Sequence, residues 1–157
     1  MLSNNFKEVI KIIYSKLKDK KVKWAVIGST NMVLQRINVN PNDIDIITNP
    51  DDLKVFEEVF KDHIIKPICK KPPYREGYSG FYELKLNIKG IEIHIISEYD
   101  NGVYYGRISK GNIILIDLDN LKIPCFTLKA EAQAYEETNR ENKAKMIKEF
   151  LRKNVRI

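Results

Sequence analysis

The sequence predicts a fold of the α+β (mixed α/β) class, with a central β-sheet backed by helices. Two observations favour this class. Short apolar segments with the alternation of strands are interspersed with segments whose apolar residues recur at helical spacing. The 157 residues also contain no internal repeat and no linker long enough to divide them, so we expect a single domain over 1–157.

The first half of the chain alternates helices with short strands. Phe6, Val9 and Ile13 recur at helical spacing, whereas Trp24–Ile27 is a short apolar run that ends abruptly at a glycine. Each such change of period marks a new element. The predicted order is a helix over 5–20, a strand over 24–27, a short helix over 30–36, a strand over 43–47 and a helix around 53–60.

The second half is predicted to contain hairpins and two closing helices. Lys89 and Gly90 join two strongly alternating segments, which is typical of a β-hairpin, and Thr127 is placed to cap a helix. Prolines and glycines predict a loop over 70–80. The other predicted elements are strands over 64–69, 81–88 and 91–96, two weaker strands over 103–108 and 112–117, and helices over 127–137 and 141–153.

Composition limits the class of protein. No apolar run approaches the roughly 20 residues that a membrane span requires, and the first residues lack the apolar stretch of a secretory signal. The two cysteines show neither metal-ligand spacing nor a disulfide framework. We therefore expect a cytoplasmic protein with no membrane partner. The formal net charge of +6 permits binding to phosphates, nucleotides or nucleic acid without requiring it.

Gly28 and Ser29 follow a predicted strand and precede a predicted helix. A glycine lets a phosphate approach the backbone, a helix N-terminus offers free N–H groups, and a serine adds a hydroxyl donor. The pair therefore predicts an anion site. A Gly-Ser pair at the end of a strand is also common in ordinary turns, which is the alternative.

Asp43 and Asp45 form a second candidate feature. Because side chains alternate across a strand, both carboxylates project from one face while Ile44 and Ile46 point to the other. Two neighbouring anions on an apolar strand repel each other and attract a cation, and oxygen ligands of this kind favour Mg²⁺ or Mn²⁺. The alternative is an exposed strand end whose acids face water.

Glu92 and His94 share one face of a later strand whose other face carries isoleucines. If that strand lies beside the one with Asp43, three carboxylates converge next to Gly28, a constellation that suits two-metal phosphoryl-group transfer. His94 is then either a neighbour of the metal or a structural histidine. Glu92 also has an alternative interpretation, as a residue on the solvated side of a half-exposed hairpin.

These motifs resemble those of the DNA polymerase β-like nucleotidyltransferase superfamily, and more closely those of its small stand-alone members in bacteria and archaea. The resemblance rests on Gly28-Ser29, on Asp43-Ile44-Asp45 after a short helix, and on the acid Glu92 on a later strand. It covers 22–97 as the core and, more weakly, a closing helical segment over 121–157. It implies a nucleotidyltransferase-type fold, with a central mixed β-sheet flanked by helices and further helices at the C-terminus.

The resemblance also implies an activity. This is the Mg²⁺- or Mn²⁺-dependent transfer of a nucleoside monophosphate from an NTP, with ATP favoured, to an acceptor with release of pyrophosphate. Asp43 and Asp45 would hold both metal ions, and Glu92 would bind the metal nearer the acceptor and help deprotonate its hydroxyl. Gly28 and Ser29 would hold the triphosphate. The implied acceptor is a small molecule, an RNA or a protein.

Further basic residues are candidate nucleotide contacts. Arg75 stands in a loop that interleaves basic and aromatic residues, as a base-stacking or phosphate-binding loop does. Lys129 stands at the start of a predicted helix from which it would reach a triphosphate. A flexible basic loop and a solvated helix surface are the simpler interpretations of the two residues.

Two departures from the family pattern leave alternatives open. The third acid is Glu92, where many active members carry Asp, and the chain lacks the additional helical domain with which larger relatives bind their acceptors. A homo-oligomer or a second subunit would then supply acceptor binding. The alternative function is a catalytically inactive NTP-binding or antitoxin-like interaction module on the same fold. A third hypothesis is a small nucleic-acid-binding protein that uses its basic segments.

Overall fold

The structure is a computed structural model that describes residues 2–74, 76–78 and 80–154. Within these residues the chain forms a seven-stranded mixed sheet with helices on both faces. The strands are β1 (Trp24–Ile27), β2 (Ile44–Thr48), β3 (Ile64–Lys71), β4 (Phe81–Ile88), β5 (Ile91–Ser97), β6 (Ile113–Leu118) and β7 (Leu121–Phe126). The helices are α1 (Asn4–Leu17), α2 (Gly28–Leu34), α3 (Pro50–Val59), α4 (Tyr105–Ile108), α5 (Leu128–Glu137) and α6 (Glu141–Lys153), with a 3₁₀ turn at Lys61–His63.

The strand order across the sheet is β3-β4-β5-β2-β1-β7-β6. The central strand, β2, is antiparallel to β1 and parallel to β5, so Asp45 lies opposite Ile27 on one side and opposite His94 on the other. A parallel pair needs a crossover connection, and the segment from α3 to β4 provides it between β2 and β5. The two strands that carry the candidate acids are therefore neighbours.

Alternating side chains divide the core between the two faces of the sheet. Ile46 packs with α1 and α3, whereas Ile47 packs with α4 and α5. A third apolar cluster joins α2, α5 and α6 around Tyr135. Because Asp43 and Asp45 share the face of Ile47, the acids point to the side of the sheet where α5 and α6 lie.

The longer helices are amphipathic. α1 buries Val9 and Ile13 against the sheet and leaves its lysines at least partly exposed. α6 buries Ala144 and Ile147 and carries basic residues in its last turn, where they complement the helix dipole. None of the helices among the described residues has both the length and the apolar character needed to cross a membrane.

Most of the predicted elements are confirmed to within about three residues, but the strand predicted over 103–108 is wrong. These residues form a turn and the short helix α4. The buried carboxylate of Glu98 explains the difference, because its Oε1 accepts hydrogen bonds from the N–H groups of Tyr104 and Tyr105 at 2.8 and 2.9 Å. Those donors are therefore engaged locally rather than in a sheet.

β7 is a strand that the sequence analysis did not predict. Pro124 stands in its middle, and proline lacks the N–H group that a sheet ladder uses, which argues against a strand. In the structure β7 nevertheless lies between β1 and β6, with Pro124 opposite Leu115. It leads directly into Thr127, whose side chain accepts a hydrogen bond from Ala130 N–H and caps α5 as predicted.

Candidate active site

The end of β1 and the start of β2 bring a glycine against an acid. Ile27 pairs with Asp45 across the two antiparallel strands. Gly28 then turns the chain into α2 with a φ of 76°, in the left-handed region that favours glycine. A Cβ atom on Gly28 would lie 2.8 Å from Oδ2 of Asp45. Both the backbone conformation and the space that Asp45 occupies therefore favour glycine here.

Asp43 and Asp45 face His94 across β2 and β5. Nδ1 of His94 lies 3.7 Å from Oδ2 of Asp43 and 3.5 Å from Oδ1 of Asp45. One ligand atom from each of the three side chains lies within 4.8 Å of the others. Two carboxylates and an imidazole at this spacing are suitable ligands for a divalent cation.

The electrostatics of Asp45 also favour a bound cation. Burial raises the pKa of Asp45 to about 6, and the charge of Asp43 adds to the shift. The side chains that oppose the shift are His94, Arg140 and Lys143. A raised pKa means that the ionised carboxylate is unfavourable in these surroundings. A divalent cation beside the pair would offset that cost, so both the ligand set and its charge fit a divalent metal ion.

Glu92 lies on the far side of the imidazole ring. Its Oε1 is 2.9 Å from Nε2 of His94, and this hydrogen bond lowers the pKa of the exposed Glu92 carboxyl. Glu92 does not belong to the set of ligand atoms formed by the two aspartates and His94. The structure thus places His94 between the predicted third acid and the aspartate pair. The metal-ligand role of Glu92 stays a prediction.

α6 presents positive charge to the acidic pair. Nζ of Lys143 lies 3.4 Å from Oγ of Ser29 and 5.5 Å from the centre of the Tyr135 ring. The guanidinium of Arg140 lies 4.9 Å from the centre of the same ring and donates a hydrogen bond of 2.9 Å to the phenolic oxygen of Tyr104. These cations and both aspartates line a cavity of about 330 Å³, whose other lining residues are Ser29, Met32, Val39, Asn40, Asn42, Tyr135 and Met146.

A buried glutamate of α5 contacts the Gly28 turn. Oε1 of Glu131 accepts hydrogen bonds from Gly28 N–H at 2.7 Å and from the side-chain amide of Asn31 at 2.9 Å. Oε2 of Glu131 has no hydrogen-bond partner among the residues that the structure describes, and burial raises the pKa of this carboxyl to about 7. The N–H of Gly28 is therefore engaged by the protein rather than free for a phosphate.

Sequence reasoning did not identify Glu131, although the sequence carries a signal for it. Four buried residues of α5 follow the spacing of the buried stripe of a helix, namely Leu128, Glu131, Ala132 and Tyr135. Glutamate is almost never fully buried unless it is paired. An acid on the apolar stripe of a predicted helix therefore indicates a specific polar partner elsewhere in the chain.

Of the residues predicted to contact the nucleotide, two lie at the cavity with the aspartates and two do not belong to its described lining. Ser29 lines the cavity with the aspartates, and Gly28 forms the turn beside them. Lys129 is exposed on α5 and is not among the residues that line the cavity. Arg75 lies outside the described residues. The roles predicted for Arg75 and Lys129 stay predictions.

The described part of the 70–80 loop packs on aromatic residues near Arg140. Tyr74 stacks on Phe81 with ring centres 4.5 Å apart, and it meets the ring of Tyr104 edge-on at 6.0 Å. Tyr104 in turn accepts the hydrogen bond from Arg140. A chain of aromatic contacts thus connects this loop with a cation of the cavity.

Solved structures share this fold. A crystal structure of a candidate nucleotidyltransferase (TM1012) from Thermotoga maritima matches with a TM-score of 0.78 and 26% identity, over 98% of this chain and 97% of that one. A solution structure of the antibiotic-resistance factor ANT(2'')-Ia matches with a TM-score of 0.60 and 10% identity, over 96% of this chain and 86% of that one. A crystal structure of ANT(2'')-Ia in complex with adenylyl-2''-tobramycin matches with a TM-score of 0.53 and 8% identity, over 96% of this chain and 98% of that one.

The sequence comparisons identify the family. No curated protein matches the chain. A family model for aminoglycoside-2''-adenylyltransferase matches residues 9–150, a span that includes β1, β2, β5 and most of the closing helices. The two ANT(2'')-Ia structures, at 10% and 8% identity, add only the likeness of fold. With its nucleotidyltransferase fold, the chain belongs to the aminoglycoside-2''-adenylyltransferase family.

Proposed function

We propose that the chain is an enzyme that transfers a nucleoside monophosphate from an NTP to an acceptor hydroxyl and releases pyrophosphate. The observation that carries the proposal is the cavity in which Asp43 and Asp45 lie together with Ser29 and Lys143. Phosphoryl-group transfer needs acids that hold a divalent cation and a cationic group for phosphate oxygens at the same place. Membership of an adenylyltransferase family supports ATP as the NTP.

The aspartate pair is the proposed metal site. Asp43 and Asp45 would hold Mg²⁺ or Mn²⁺, with His94 as a further ligand from the same cluster. A bound divalent cation supplies positive charge against the α-phosphoryl oxygens and the leaving pyrophosphate. Gly28 contributes through its missing side chain, because only a glycine leaves the space that Oδ2 of Asp45 occupies.

The triphosphate is proposed to lie between Ser29 and Lys143. The two side chains approach to 3.4 Å, and both would turn to phosphate oxygens, the hydroxyl as a hydrogen-bond donor and the ammonium as a point charge. Arg140 adds a second cation to the same cavity. Arg75 and Lys129 are proposed as outer contacts of the nucleotide.

Glu92 is the proposed base. Its carboxylate would take the proton of the acceptor hydroxyl, and the deprotonated hydroxyl oxygen of the acceptor would form a bond to the α-phosphorus. The bond between that phosphorus and the bridging oxygen of pyrophosphate would break, and pyrophosphate would leave. Glu92 is exposed, so its carboxylate is accessible to an acceptor that arrives from solvent, and the hydrogen bond with His94 orients it.

The acceptor is proposed to be a small molecule with a free hydroxyl group. The family name specifies an aminoglycoside, and one relative of the same fold was solved with adenylyl-2''-tobramycin. These names favour a small molecule over an RNA or a protein. A second copy of the chain or a different subunit is the proposed source of further acceptor contacts.

A catalytically silent NTP-binding module on the same fold is the second candidate. One observation favours it, namely that the proposed base Glu92 lies outside the set formed by Asp43, Asp45 and His94. Such a module would bind the NTP with its metal and release it unchanged. A pyrophosphate-release assay with ATP and a panel of small hydroxyl compounds distinguishes the two, because a silent module forms no pyrophosphate.

A thermal-melt screen tests the binding step. Wild type and the double variant Asp43→Ala/Asp45→Ala would be melted with each NTP, with and without Mg²⁺ or Mn²⁺. A ligand at about 100 times its dissociation constant stabilises a protein by roughly 2.7 kcal/mol, which raises Tm by several degrees. We expect a metal-dependent shift with ATP that the double variant loses.

The matched control for this screen is Asp100→Ala/Asp117→Ala, which removes two exposed aspartates elsewhere. The control should keep the full shift. The absence of a shift with every NTP, or an equal shift in the Asp43→Ala/Asp45→Ala variant, would contradict the proposal.

A further inference from the structure

Glu98 and Glu131 are the two acids that are buried among the described residues, with side chains 2% and 0% exposed. Each uses its Oε1 to accept two hydrogen bonds. Glu98 bonds the N–H groups of a loop after β5, whereas Glu131 bonds Gly28 N–H and the amide of Asn31. The same chemistry therefore serves a loop in one case and the turn of the candidate active site in the other.

The contact of Glu131 determines where the Gly28 peptide lies. The N–H···Oε1 distance is 2.7 Å, and it joins residues 103 positions apart in the chain. Gly28 is also so close to Asp45 that a Cβ atom would lie 2.8 Å from Oδ2. Gly28 is thus next to two carboxyl groups, of which one belongs to the proposed metal site and the other does not.

Further hydrogen bonds keep the acceptor atom in place. The side-chain amide of Asn31 donates to Oε1 of Glu131 and to the carbonyl oxygen of Phe126 at 3.0 Å. Gln35 donates to the amide oxygen of Asn31 at 2.7 Å and to the same carbonyl at 2.8 Å. Asn31 of α2, the partly exposed Gln35 just after it, Glu131 of α5 and the end of β7 therefore form one hydrogen-bond network.

We propose that Glu131 is a positioning residue for the transfer reaction: its Oε1 fixes the Gly28 turn and thereby the place of Asp45 at the metal site. This inference rests on the proposed function. Glu131 does not touch the cavity itself, so it acts through Gly28. Small displacements of a metal ligand lower metal affinity and turnover by large factors, because ligand geometry is tightly specified.

The acceptor atom, rather than the negative charge, carries this role. Both donors meet Oε1, while Oε2 has no hydrogen-bond partner among the described residues. Glu131→Gln keeps the shape and an oxygen at the Oε1 position. Glu131→Asp keeps the charge but withdraws the oxygen by the length of one methylene group. The two variants therefore separate the position of the acceptor from its charge.

The test measures Mn²⁺ alone, by the electron paramagnetic resonance signal of the free ion, and the exchange rate of the Gly28 amide proton by NMR. We expect Glu131→Asp to raise the dissociation constant for Mn²⁺ about tenfold and to speed exchange at Gly28. Glu131→Gln should stay within about threefold of wild type in affinity. The matched pair Glu98→Asp and Glu98→Gln should leave the Mn²⁺ affinity unchanged, because Glu98 lies beyond the opposite end of β5 from Glu92.

Three outcomes would overturn the inference. These are a wild-type Mn²⁺ affinity in Glu131→Asp, an equal loss in Glu131→Gln, and an equal loss in Glu98→Asp, which would show a general effect of stability. The proposed function has its own failure, in which wild type binds Mn²⁺ no better than Asp43→Ala/Asp45→Ala. If wild type binds and Glu131→Asp matches it, the role of Glu131 fails and the proposed function stands.

Discussion

Gly28 and Asp45 exclude any side chain from the space between them, since a Cβ atom on Gly28 would lie 2.8 Å from Oδ2 of Asp45. Carbon and oxygen atoms do not approach so closely without displacement. The turn after β1 and the acid of β2 are therefore packed directly against each other, which their order in the sequence does not reveal. The missing side chain of Gly28 thus contributes to the geometry of the proposed metal site.

Gly28→Ala should therefore lose Mn²⁺ binding. The φ of 76° at Gly28 is costly for alanine by about 1 to 3 kcal/mol, and the new methyl group would also displace Asp45. We expect a loss of Mn²⁺ affinity of more than about tenfold in addition to a loss of stability in urea unfolding.

Gly111→Ala is the matched control for this substitution. Gly111 has a φ of 95°, and a Cβ atom added there would meet nothing within 4 Å, so this glycine shares the backbone strain and lacks the collision. The variant should lose stability and keep the Mn²⁺ affinity of an otherwise intact site. Equal Mn²⁺ affinities in wild type and Gly28→Ala would show that the contact with Asp45 does not matter for the metal.

Asp45→Asn should stabilise the metal-free protein at neutral pH. The pKa of Asp45 is raised from 3.8 to about 6, so its protonated form is favoured in the folded protein. Below pH 3.8 the carboxyl group is protonated and the folded protein has its full stability. As the pH rises through 6 the group ionises in its unfavourable surroundings, and this part of the free energy of unfolding is lost. We expect a gain of about 1 to 2 kcal/mol at pH 7.5 and none below about pH 4, measured by urea unfolding in EDTA.

The exposed Asp100 offers a control for this pH dependence. Asp100→Asn should change the free energy of unfolding by less than about 0.5 kcal/mol at either pH. A net loss of stability in Asp45→Asn at pH 7.5 would mean that the Asp45 carboxylate is favourably placed even without a metal, against the direction of its pKa shift.

Lys143→Met should weaken ATP binding in the presence of Mg²⁺ by about tenfold. The methionine keeps an apolar stem beside Tyr135 but removes the ammonium group that lies 3.4 Å from Ser29. Titration calorimetry at two salt concentrations measures the loss, which should shrink at high salt because screening already weakens the wild-type contact. Lys145→Met, an exposed change two residues further along α6, should bind ATP as wild type does, and an equal loss there would indicate a diffuse charge effect.

His94→Ala and Glu92→Gln should have different effects. His94 shares a set of ligand atoms within 4.8 Å with both aspartates, so its loss should lower Mn²⁺ affinity by about tenfold. Glu92→Gln should leave Mn²⁺ affinity within a few fold and reduce pyrophosphate release by about 100-fold, the usual range for a general base. The reverse pattern would make Glu92 the metal ligand and His94 an accessory residue.

The acids of the site could be predicted from sequence because their pattern is local. Alternation along one strand is enough to put Asp43 and Asp45 on the same face, and the same argument joins Glu92 to His94. The relation between the two pairs is not local. It depends on the parallel register of β2 and β5, in which Asp45 lies opposite His94, and no local sequence pattern reveals that register.

The residues that escaped prediction are those whose partners are distant in the chain. Glu131 bonds Gly28 across 103 positions, and Lys143 reaches Ser29 across 114, so neither contact leaves a spacing that can be recognised. β7 contains Pro124, a residue that local rules treat as a strand breaker. In 103–108 the buried Glu98, which lies outside that segment, accepts hydrogen bonds from two of its N–H groups and so prevents the predicted strand.

The central position of β2 has a consequence for how such a protein changes over evolutionary time. The strand is bonded on both sides through its backbone, Asp45 included, so a substitution at Asp45 changes only the side chain that projects from the sheet. On the proposed function, replacing Asp45 would remove a metal ligand and leave the pairing of strands intact. A lineage that no longer needed the proposed reaction could then lose it by a single substitution and retain the fold, so the acids would distinguish active members from inactive descendants better than the fold does.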